Sequence, residues 1–141
     1  MQNIIITGAS HGIGRALTKK LSKKYHIINI DIVENKMDKV DFYKCDLSDK
    51  SKLLKTIEKI KTNIDSLYAL INNAALFSSK SLEKQTLEEW ENIISINLTA
   101  PYILSKEFAS MLKQSKGHII NISSTRASMS EAGTEAYSSS K

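Results

Sequence analysis

Three glycines stand at a spacing that can hold a phosphate group. Gly8, Gly12 and Gly14 lie in the sequence Thr-Gly-Ala-Ser-His-Gly-Ile-Gly, between an apolar run that ends at Ile6 and an amphipathic segment that starts at Ile13. The first N–H groups of a helix have no partner within it, and aligned peptide dipoles place partial positive charge there. Glycines let the backbone turn tightly and approach an anion closely. The pattern predicts a pyrophosphate-binding turn, although an ordinary glycine-rich turn before a helix has the same residues.

A phenol and an ammonium stand four residues apart at Tyr137 and Lys141, and hence on one face of any helix there. At ~5 Å and an effective dielectric near 20, the ammonium favours phenolate by about 3 kcal/mol. Tyr137 is therefore a candidate acid or base toward an alcohol or carbonyl oxygen. Ser124, at the end of an apolar run, is a candidate to hold the same oxygen. Taken singly, Tyr-x-x-x-Lys is a common pattern, and Ser124 also suits a turn at a strand end.

Asp31 has the position of an acid that binds an adenosine ribose. It follows the second apolar run and comes 17 residues after Gly14, close to the ~20 typical of dinucleotide-binding folds. A carboxylate accepts hydrogen bonds from ribose hydroxyls and repels a 2′-phosphate, so the predicted cofactor is NAD rather than NADP. On spacing alone, Asp31 could also begin a turn.

Five short apolar runs predict the strands that position these residues. Parallel strands covered on both faces read as continuous apolar runs, which here are 3–6, 26–30, 41–43, 67–71 and 118–122. Residues 33–39 and 76–85 are expected to be loops. With helices between the runs, the order is typical of an α/β fold with a doubly wound parallel sheet, which binds ligands at the carboxyl ends of its strands. That edge would collect the residues after each run: Gly8, Asp31, Asp46, Asn73 and Ser124.

Helical periodicity fills the intervals between the runs. One helix is expected from Ile13, and a second from Ser48 or Asp49 to about residue 62. A capping box at residues 86–89 begins a long third helix. Pro101 should bend this helix or divide it in two, and Gly117 should end it.

Composition excludes several classes of protein. The 141 residues suffice for one domain with a core and leave no room for a separate substrate domain. With 41% apolar and 25% charged residues, the chain resembles a globular protein rather than a disordered one. Its net charge of +5 comes almost entirely from scattered lysines, which is typical of solvated helix faces and argues against a nucleic-acid partner.

Cysteine and histidine usage points to a cytoplasmic protein without a metal site. Cys45 is the only cysteine, so no internal disulfide forms, and we expect it to be a buried strand residue. The three histidines lie far from one another and from Cys45, without ligand-like spacing. No basic leader precedes the first apolar run, and no apolar stretch approaches the ~18 residues that span a membrane.

Together, these motifs resemble those of the short-chain dehydrogenase/reductase family, in its compact subgroup. That subgroup has the Thr-Gly-x-x-x-Gly-x-Gly spacing found here. The resemblance covers the whole chain and includes Asp31, Asp46-Leu47, Asn72-Asn73-Ala74, Asn97, Ser123-Ser124, and Tyr137 with Lys141. It implies a Rossmann-like fold and an NAD-dependent oxidoreductase that transfers hydride between a nicotinamide cofactor and an alcohol or carbonyl substrate.

The resemblance also implies a role for individual residues. Tyr137 would pass a proton to or from the substrate oxygen, and Ser124 would hold that oxygen. Lys141 would make Tyr137 more acidic and bind the nicotinamide ribose, while Asn97 would hold a water that relays protons. Alternatively, Asn97 could be a buried polar residue whose side chain only forms hydrogen bonds with the backbone. The residues implied to contact the cofactor are Gly8, Ser10, His11, Gly12, Ile13, Gly14, Asp31, Asp46, Leu47, Asn73, Ala74, Tyr137 and Lys141.

Two features depart from the family pattern. Ala75 stands where the family usually has glycine, and the chain ends at Lys141, whereas family members continue through the rest of that helix and two more strands. We therefore expect a dinucleotide-binding domain over residues 1–141 that is incomplete at its C-terminus. Residues 137–141 should not sustain a helix, and strand one should face an incomplete sheet, leaving an exposed edge and apolar surface.

The sequence is consistent with two functions. The chain is either the N-terminal part of an NAD-dependent oxidoreductase or a truncated nucleotide-binding fragment without turnover. A homo-oligomer, paired through the long helix and the Tyr137 helix, is implied only for a complete chain.

Overall fold

A five-stranded parallel sheet forms the centre of the molecule. The computed structural model describes residues 1–34 and 36–141. The strands are β1 (Asn3–Thr7), β2 (His26–Asp31), β3 (Val40–Lys44), β4 (Ala69–Asn72) and β5 (His118–Asn121), in the order β3-β2-β1-β4-β5. This confirms the predicted doubly wound α/β fold, with strand bounds within two residues of those expected. The predicted loop 33–39 contains residue 35, which lies outside the described residues.

Helices cover both faces of the sheet. They are α1 (Gly12–Leu21), α2 (Lys50–Asn63), α3 (Leu87–Ile94), α4 (Ala100–Gln114) and α5 (Glu135–Ser139). One face packs its buried strand residues against α2 and α4, around the fully buried Phe108. The other face packs against Leu17 and Leu21 of α1. None of these helices, in the part of the chain that the structure describes, has the length and apolar character needed to cross a bilayer.

The expected exposed edge of the sheet is present and lies at β5. β1 is central and pairs with β2 on one side and β4 on the other. Every residue of β5 is exposed, and Ile119 and Ile120 supply the expected apolar surface with exposed fractions of 45% and 44%. Two strands lie on each side of β1, and β5, the last strand in sequence, lies at an edge of the sheet.

Pro101 divides the long helix, as expected. Between α3 and α4, residues Ser95–Thr99 form a π-helical turn, in which the N–H of Ala100 donates to the carbonyl of Ser95, five residues back. Proline has no N–H to donate to the carbonyl of Asn97 four residues earlier, and its ring crowds that carbonyl. The widened turn accommodates this loss and contains Asn97, which is 7% exposed.

The end of the chain forms one helical turn, contrary to expectation. α5 spans only Glu135–Ser139, and Ser140 follows it as the C-cap. Ala136 is fully buried and Ser140 is 4% exposed. This burial provides tertiary support that local propensity could not supply, since most helical stability in proteins comes from packing.

Gly117 ends the long helix for a different reason from the one expected. The left-handed residue after α4 is Lys116, with φ of 50°. At Gly117, an added Cβ would lie 2.5 Å from the carbonyl oxygen of Tyr68. The N–H of Gly117 donates to Leu112 O at 2.8 Å. The glycine is therefore required by close backbone contact with the chain entering β4.

The substitution Gly117→Ala should lower the free energy of unfolding by about 1–3 kcal/mol, because the new Cβ forces the backbone to shift. Urea denaturation followed by circular dichroism measures this. Lys116→Gly is the matched control at the neighbouring position, and by removing a left-handed lysine it should leave stability unchanged or raise it by up to about 1 kcal/mol. Wild-type stability of Gly117→Ala would show that the contact does not require glycine.

Candidate functional site

A cleft of about 490 Å³ opens at the carboxyl ends of the strands. The glycine turn after β1 contributes Gly8, His11, Gly12 and Ile13 to its wall. The ends of β2, β3 and β4 contribute Asp31, Asp46, Leu47, Asn73 and Ala74. The structure thus brings nine of the predicted cofactor residues to one cavity.

The three glycines of the turn serve three geometric purposes. Gly8 has φ of +66°, and an added Cβ would lie 2.9 Å from Ala74 Cα. Gly12 has φ of +50°, but no atom lies within 4 Å of its hypothetical Cβ. Gly14 is buried, and a Cβ there would lie 2.2 Å from the carbonyl oxygen of Gly8. Gly12 therefore leaves open space beside the cleft, whereas Gly14 allows α1 to pack closely on the turn.

Ser10 is turned inward, away from the cleft. It is fully buried, and its hydroxyl accepts a hydrogen bond from Asn29 Nδ2 at 3.0 Å and donates to the carbonyl of Val33. The contact with the cofactor predicted for Ser10 stays a prediction. Gly14 likewise lies behind the cleft wall. Ser10 and Gly14 therefore stabilise the conformation of the glycine turn from its buried side.

The Asp31 carboxylate lines the cleft and also fastens the glycine turn. Its Oδ2 accepts from the N–H of Ser10 at 3.0 Å, and its Oδ1 accepts from the N–H of Ile32 at 2.7 Å and of Val33 at 3.3 Å. Asp31 therefore both begins a turn after β2 and exposes its carboxylate to the cleft. Acceptor capacity remains, because each carboxylate oxygen has two lone-pair sites.

Asp46 and Leu47 border the cleft at the end of β3. Asp46 Oδ1 accepts from the N–H and the hydroxyl of Ser48, at 2.9 and 2.7 Å. Cys45 also lines this part of the cleft, immediately after β3 rather than within it, and is buried. Burial raises the pKa of its thiol, as is typical of buried structural cysteines.

Asn73 joins the ends of β1 and β4. Its Nδ2 donates to the carbonyls of Thr7 and Gly8, both at 3.0 Å. In return, Thr7 Oγ1 accepts from the N–H groups of Asn73 and Ala74, also at 3.0 Å. These four hydrogen bonds fix the loop after β4 against the start of the glycine turn.

A second cavity of about 380 Å³ meets the first at Ala74. Asn97, Ser140 and Lys141 line it. The Asn97 carboxamide accepts from Leu76 N at 2.7 Å and donates to Leu76 O and Ser140 Oγ, both at 2.9 Å. Asn97 therefore makes the backbone hydrogen bonds expected of a buried polar group. Its side chain links the loop after β4 to the end of α5.

Lys141, two residues after the end of α5, places its ammonium over the ring of Tyr137. Lys141 Nζ is 5.7 Å from the centroid of the Tyr137 ring and donates to Ile122 O at 2.9 Å. Phe77 contacts the same ring edge-on, with centroids 5.0 Å apart. Burial lowers the pKa of the Lys141 ammonium. Tyr137 lines neither cavity.

Ser124 lies three residues after the end of β5 rather than at the strand end. Its hydroxyl accepts from the N–H of Arg126 at 3.2 Å and caps a short 3-10 turn, Thr125–Ala127. Like Tyr137, it lines neither of the two cavities. The catalytic roles of Ser124, Tyr137, Lys141 and Asn97 stay predictions.

Sequence reasoning missed several residues of this region. The apolar wall of the cleft includes Ile30, Ile32, Leu76 and Ile96, which look like ordinary core or loop residues in the sequence. Asn29 was also missed, although a lone polar residue inside an apolar strand is a signal for a buried hydrogen-bonding role. Phe77 carried no signal, because its contact with Tyr137 is long-range.

The sequence matches the profile of the short chain dehydrogenases over residues 2–141. The chain belongs to this family. In the part of the chain that the structure describes, no group of three or more His, Cys, Asp or Glu side chains is arranged to hold a metal ion.

Curated short-chain dehydrogenase relatives cover nearly all of the chain. An uncharacterized oxidoreductase of Thermotoga maritima is 39% identical over 97% of this chain and 59% of its own length. A 3-oxoacyl-(acyl-carrier-protein) reductase of Haemophilus influenzae is 33% identical over 97% of this chain and 61% of its own length. The chain therefore spans about three fifths of the length of these relatives.

Solved short-chain dehydrogenase structures superpose closely. A 4-hydroxyisoleucine dehydrogenase complexed with NADH has a TM-score of 0.92 and 31% identity, covering 99% of this chain and 63% of that chain. A metagenomic short-chain oxidoreductase in complex with NADP has a TM-score of 0.88 and 29% identity, covering 99% and 69%. Relatives of this fold thus bind either form of the nicotinamide cofactor.

The lowered pKa of Lys141 predicts a pH-dependent contribution to stability. The unfolded chain keeps the Lys141 proton to higher pH than the folded one, so this contribution increases as pH rises from the folded pKa toward the ordinary lysine value. The free energy of unfolding of the wild type, minus that of Lys141→Met, should therefore grow with pH in alkaline solution. Urea denaturation at several pH values measures it, and a constant or falling difference would contradict the burial of the ammonium.

Proposed function

We propose that the protein is an NAD-dependent oxidoreductase that moves hydride between the nicotinamide and an alcohol or carbonyl substrate. The observation that carries this proposal is the single cleft that joins the glycine turn, Asp31 and Asn73, and that meets the Asn97 and Lys141 cavity at Ala74. A cofactor that extends from one cavity to the other would have its adenosine at Asp31 and its nicotinamide toward Lys141. Residues 1–141 would then act as the dinucleotide-binding domain.

The residues present fit such a cofactor. The open space at Gly12 and the start of α1 suit a diphosphate, because N–H groups there lack intrahelical partners. The Asp31 carboxylate suits ribose hydroxyls, and the apolar side chains of Ile32 and Leu47 suit an adenine ring. Asp31 repels a 2′-phosphate, which supports NAD over NADP.

The proton chemistry would belong to Tyr137. In the direction of reduction, the Tyr137 hydroxyl donates its proton to the carbonyl oxygen of the substrate, and the Lys141 ammonium stabilises the phenolate that remains. The Ser124 hydroxyl donates a hydrogen bond to the same oxygen and fixes its position. In the direction of oxidation, these proton movements reverse. When bound, the nicotinamide supplies or accepts the hydride.

The substrate proposed is a small molecule with an alcohol or carbonyl group. The relatives named for their reactions, a 4-hydroxyisoleucine dehydrogenase and a 3-oxoacyl-(acyl-carrier-protein) reductase, act at carbons of this kind. We propose a cytoplasmic protein with no nucleic-acid partner, paired with copies of itself through the long helix and the Tyr137 helix when the chain is complete.

The substitution Tyr137→Phe should lower the rate of hydride transfer by about 10²–10⁴-fold, because it removes only the acid proton. Its affinity for NADH should stay unchanged. Oxidation of NADH with a panel of ketones, followed by absorbance, measures the rate, and fluorescence titration measures the affinity.

Tyr25→Phe is the matched control, since Tyr25 stacks on Tyr68 at the amino-terminal ends of the strands. It should retain the wild-type rate. Near wild-type activity of Tyr137→Phe would reject Tyr137 as the acid.

Changes at Asp31 should alter the choice between NADH and NADPH. Asp31→Asn removes the charge and keeps an acceptor for the N–H of Ser10, so the ratio of NADPH to NADH dissociation constants should fall by about tenfold, which corresponds to about 1.4 kcal/mol. Asp31→Ala should reduce the ratio similarly and weaken both cofactors, because Ser10 also loses its acceptor. An unchanged ratio in both variants would contradict the assignment of Asp31 to the ribose.

The second candidate function is nucleotide binding without turnover. One observation favours it: Tyr137 and Ser124 line neither cavity. This function predicts NADH binding by the wild type with no oxidation of NADH by any ketone in the panel.

A further inference from the structure

Asn29 is a buried polar residue in the middle of β2. Its neighbours Ile28 and Ile30 are fully or almost fully buried apolar side chains, and Asn29 itself is 2% exposed. Successive side chains of a strand point to opposite faces, so Asn29 shares its face with Asp31, two residues on. A polar side chain at such a position requires hydrogen-bond partners.

Those partners all belong to the glycine turn. Asn29 Oδ1 accepts from the N–H of Ala9 at 3.1 Å, and Asn29 Nδ2 donates to Ser10 Oγ at 3.0 Å. Ser10 Oγ in turn donates to the carbonyl of Val33, beyond the end of β2. The carboxamide thus links the turn after β1 to the segment after β2.

Asp31 binds the next N–H group of the turn. Its Oδ2 accepts from Ser10 N at 3.0 Å, one residue after the N–H that Asn29 holds. Two successive N–H groups of the turn therefore point at β2 rather than into the cleft. At the start of α1, where Gly12 and Ile13 line the cleft, the first N–H groups of the helix have no intrahelical partner and suit an anion.

We propose that Asn29 is a positioning residue for the diphosphate of the cofactor. By holding Ala9 and Ser10 against β2, its carboxamide sets the direction in which the chain enters α1, and so aims the first helical N–H groups at the cleft. Asn29 does not touch the cofactor itself. This inference rests on the proposed function, because it needs a dinucleotide in the cleft.

The test compares a ligand that has a diphosphate with one that has none. Dissociation constants of ADP and adenosine are measured by competition against NADH fluorescence, for the wild type and for Asn29→Leu. Leucine keeps the volume of the side chain and removes both hydrogen bonds. The dissociation constant of ADP should rise at least tenfold, while that of adenosine should change less than twofold.

Thr56→Val is the matched control, because Thr56 is a buried polar residue of α2 whose side chain bonds to Cys45, after β3, and not to the glycine turn. It should leave both constants within twofold of the wild type. Equal changes for ADP and adenosine in Asn29→Leu, or no change for ADP, would overturn the proposal. The same selective loss of ADP binding in Thr56→Val would overturn it as well.

Ser10→Ala keeps the test decisive if Asn29→Leu does not fold. It removes the hydroxyl between Asn29 and Val33 and leaves the bond from Ala9 to Asn29 in place. ADP binding should weaken about threefold with adenosine unchanged, and an unchanged ratio would overturn the proposal. Failure of the wild type to bind NADH would instead overturn the proposed function, which makes the two failures distinguishable.

Discussion

The contact between the carboxyl ends of β1 and β4 is the constraint on which the rest of the site depends. Four hydrogen bonds join Thr7 and Gly8 to Asn73 and Ala74 there: the Asn73 carboxamide donates to the carbonyls of Thr7 and Gly8, and Thr7 Oγ1 accepts from the N–H groups of Asn73 and Ala74. Gly8 allows this approach, because any Cβ would collide with Ala74. Gly14 then lets α1 pack directly on the carbonyl of Gly8. A larger side chain at either glycine would separate the parts of the cleft.

The loop after β4 connects the cofactor cleft to the proposed catalytic residues. Ala74 borders both cavities, and Leu76 is held at its N–H and carbonyl by the Asn97 carboxamide. Asn97 reaches this position from the π-helical turn that precedes Pro101. Its third hydrogen bond, to Ser140, anchors the turn of α5 that carries Tyr137. The buried side-chain amide of Asn97 therefore links the loop after β4, the long helix and α5.

Much of the architecture was predictable because local sequence patterns determine its strands and helices. Continuous apolar runs marked all five strands, and the capping box at Thr86 and Glu89 is present with both of its hydrogen bonds. The inward turn of Ser10 could not be predicted, because its partners Asn29 and Val33 are distant in sequence. The reason for the glycine at 117 could not be predicted either, since it is a contact with the carbonyl of Tyr68, which precedes β4 and is distant in sequence.

By itself the sequence determined the strand and helix order, the family motifs, and four of the five strand-end residues expected at one cleft: Gly8, Asp31, Asp46 and Asn73. These features follow from periodicity and from the rule that parallel strands end at one edge. Only the tertiary structure decided which side chains face the cleft, which strand leaves an exposed apolar edge, and how a five-residue helix persists at Tyr137. Those outcomes depend on burial and on hydrogen bonds between residues far apart in the chain, which local patterns do not encode.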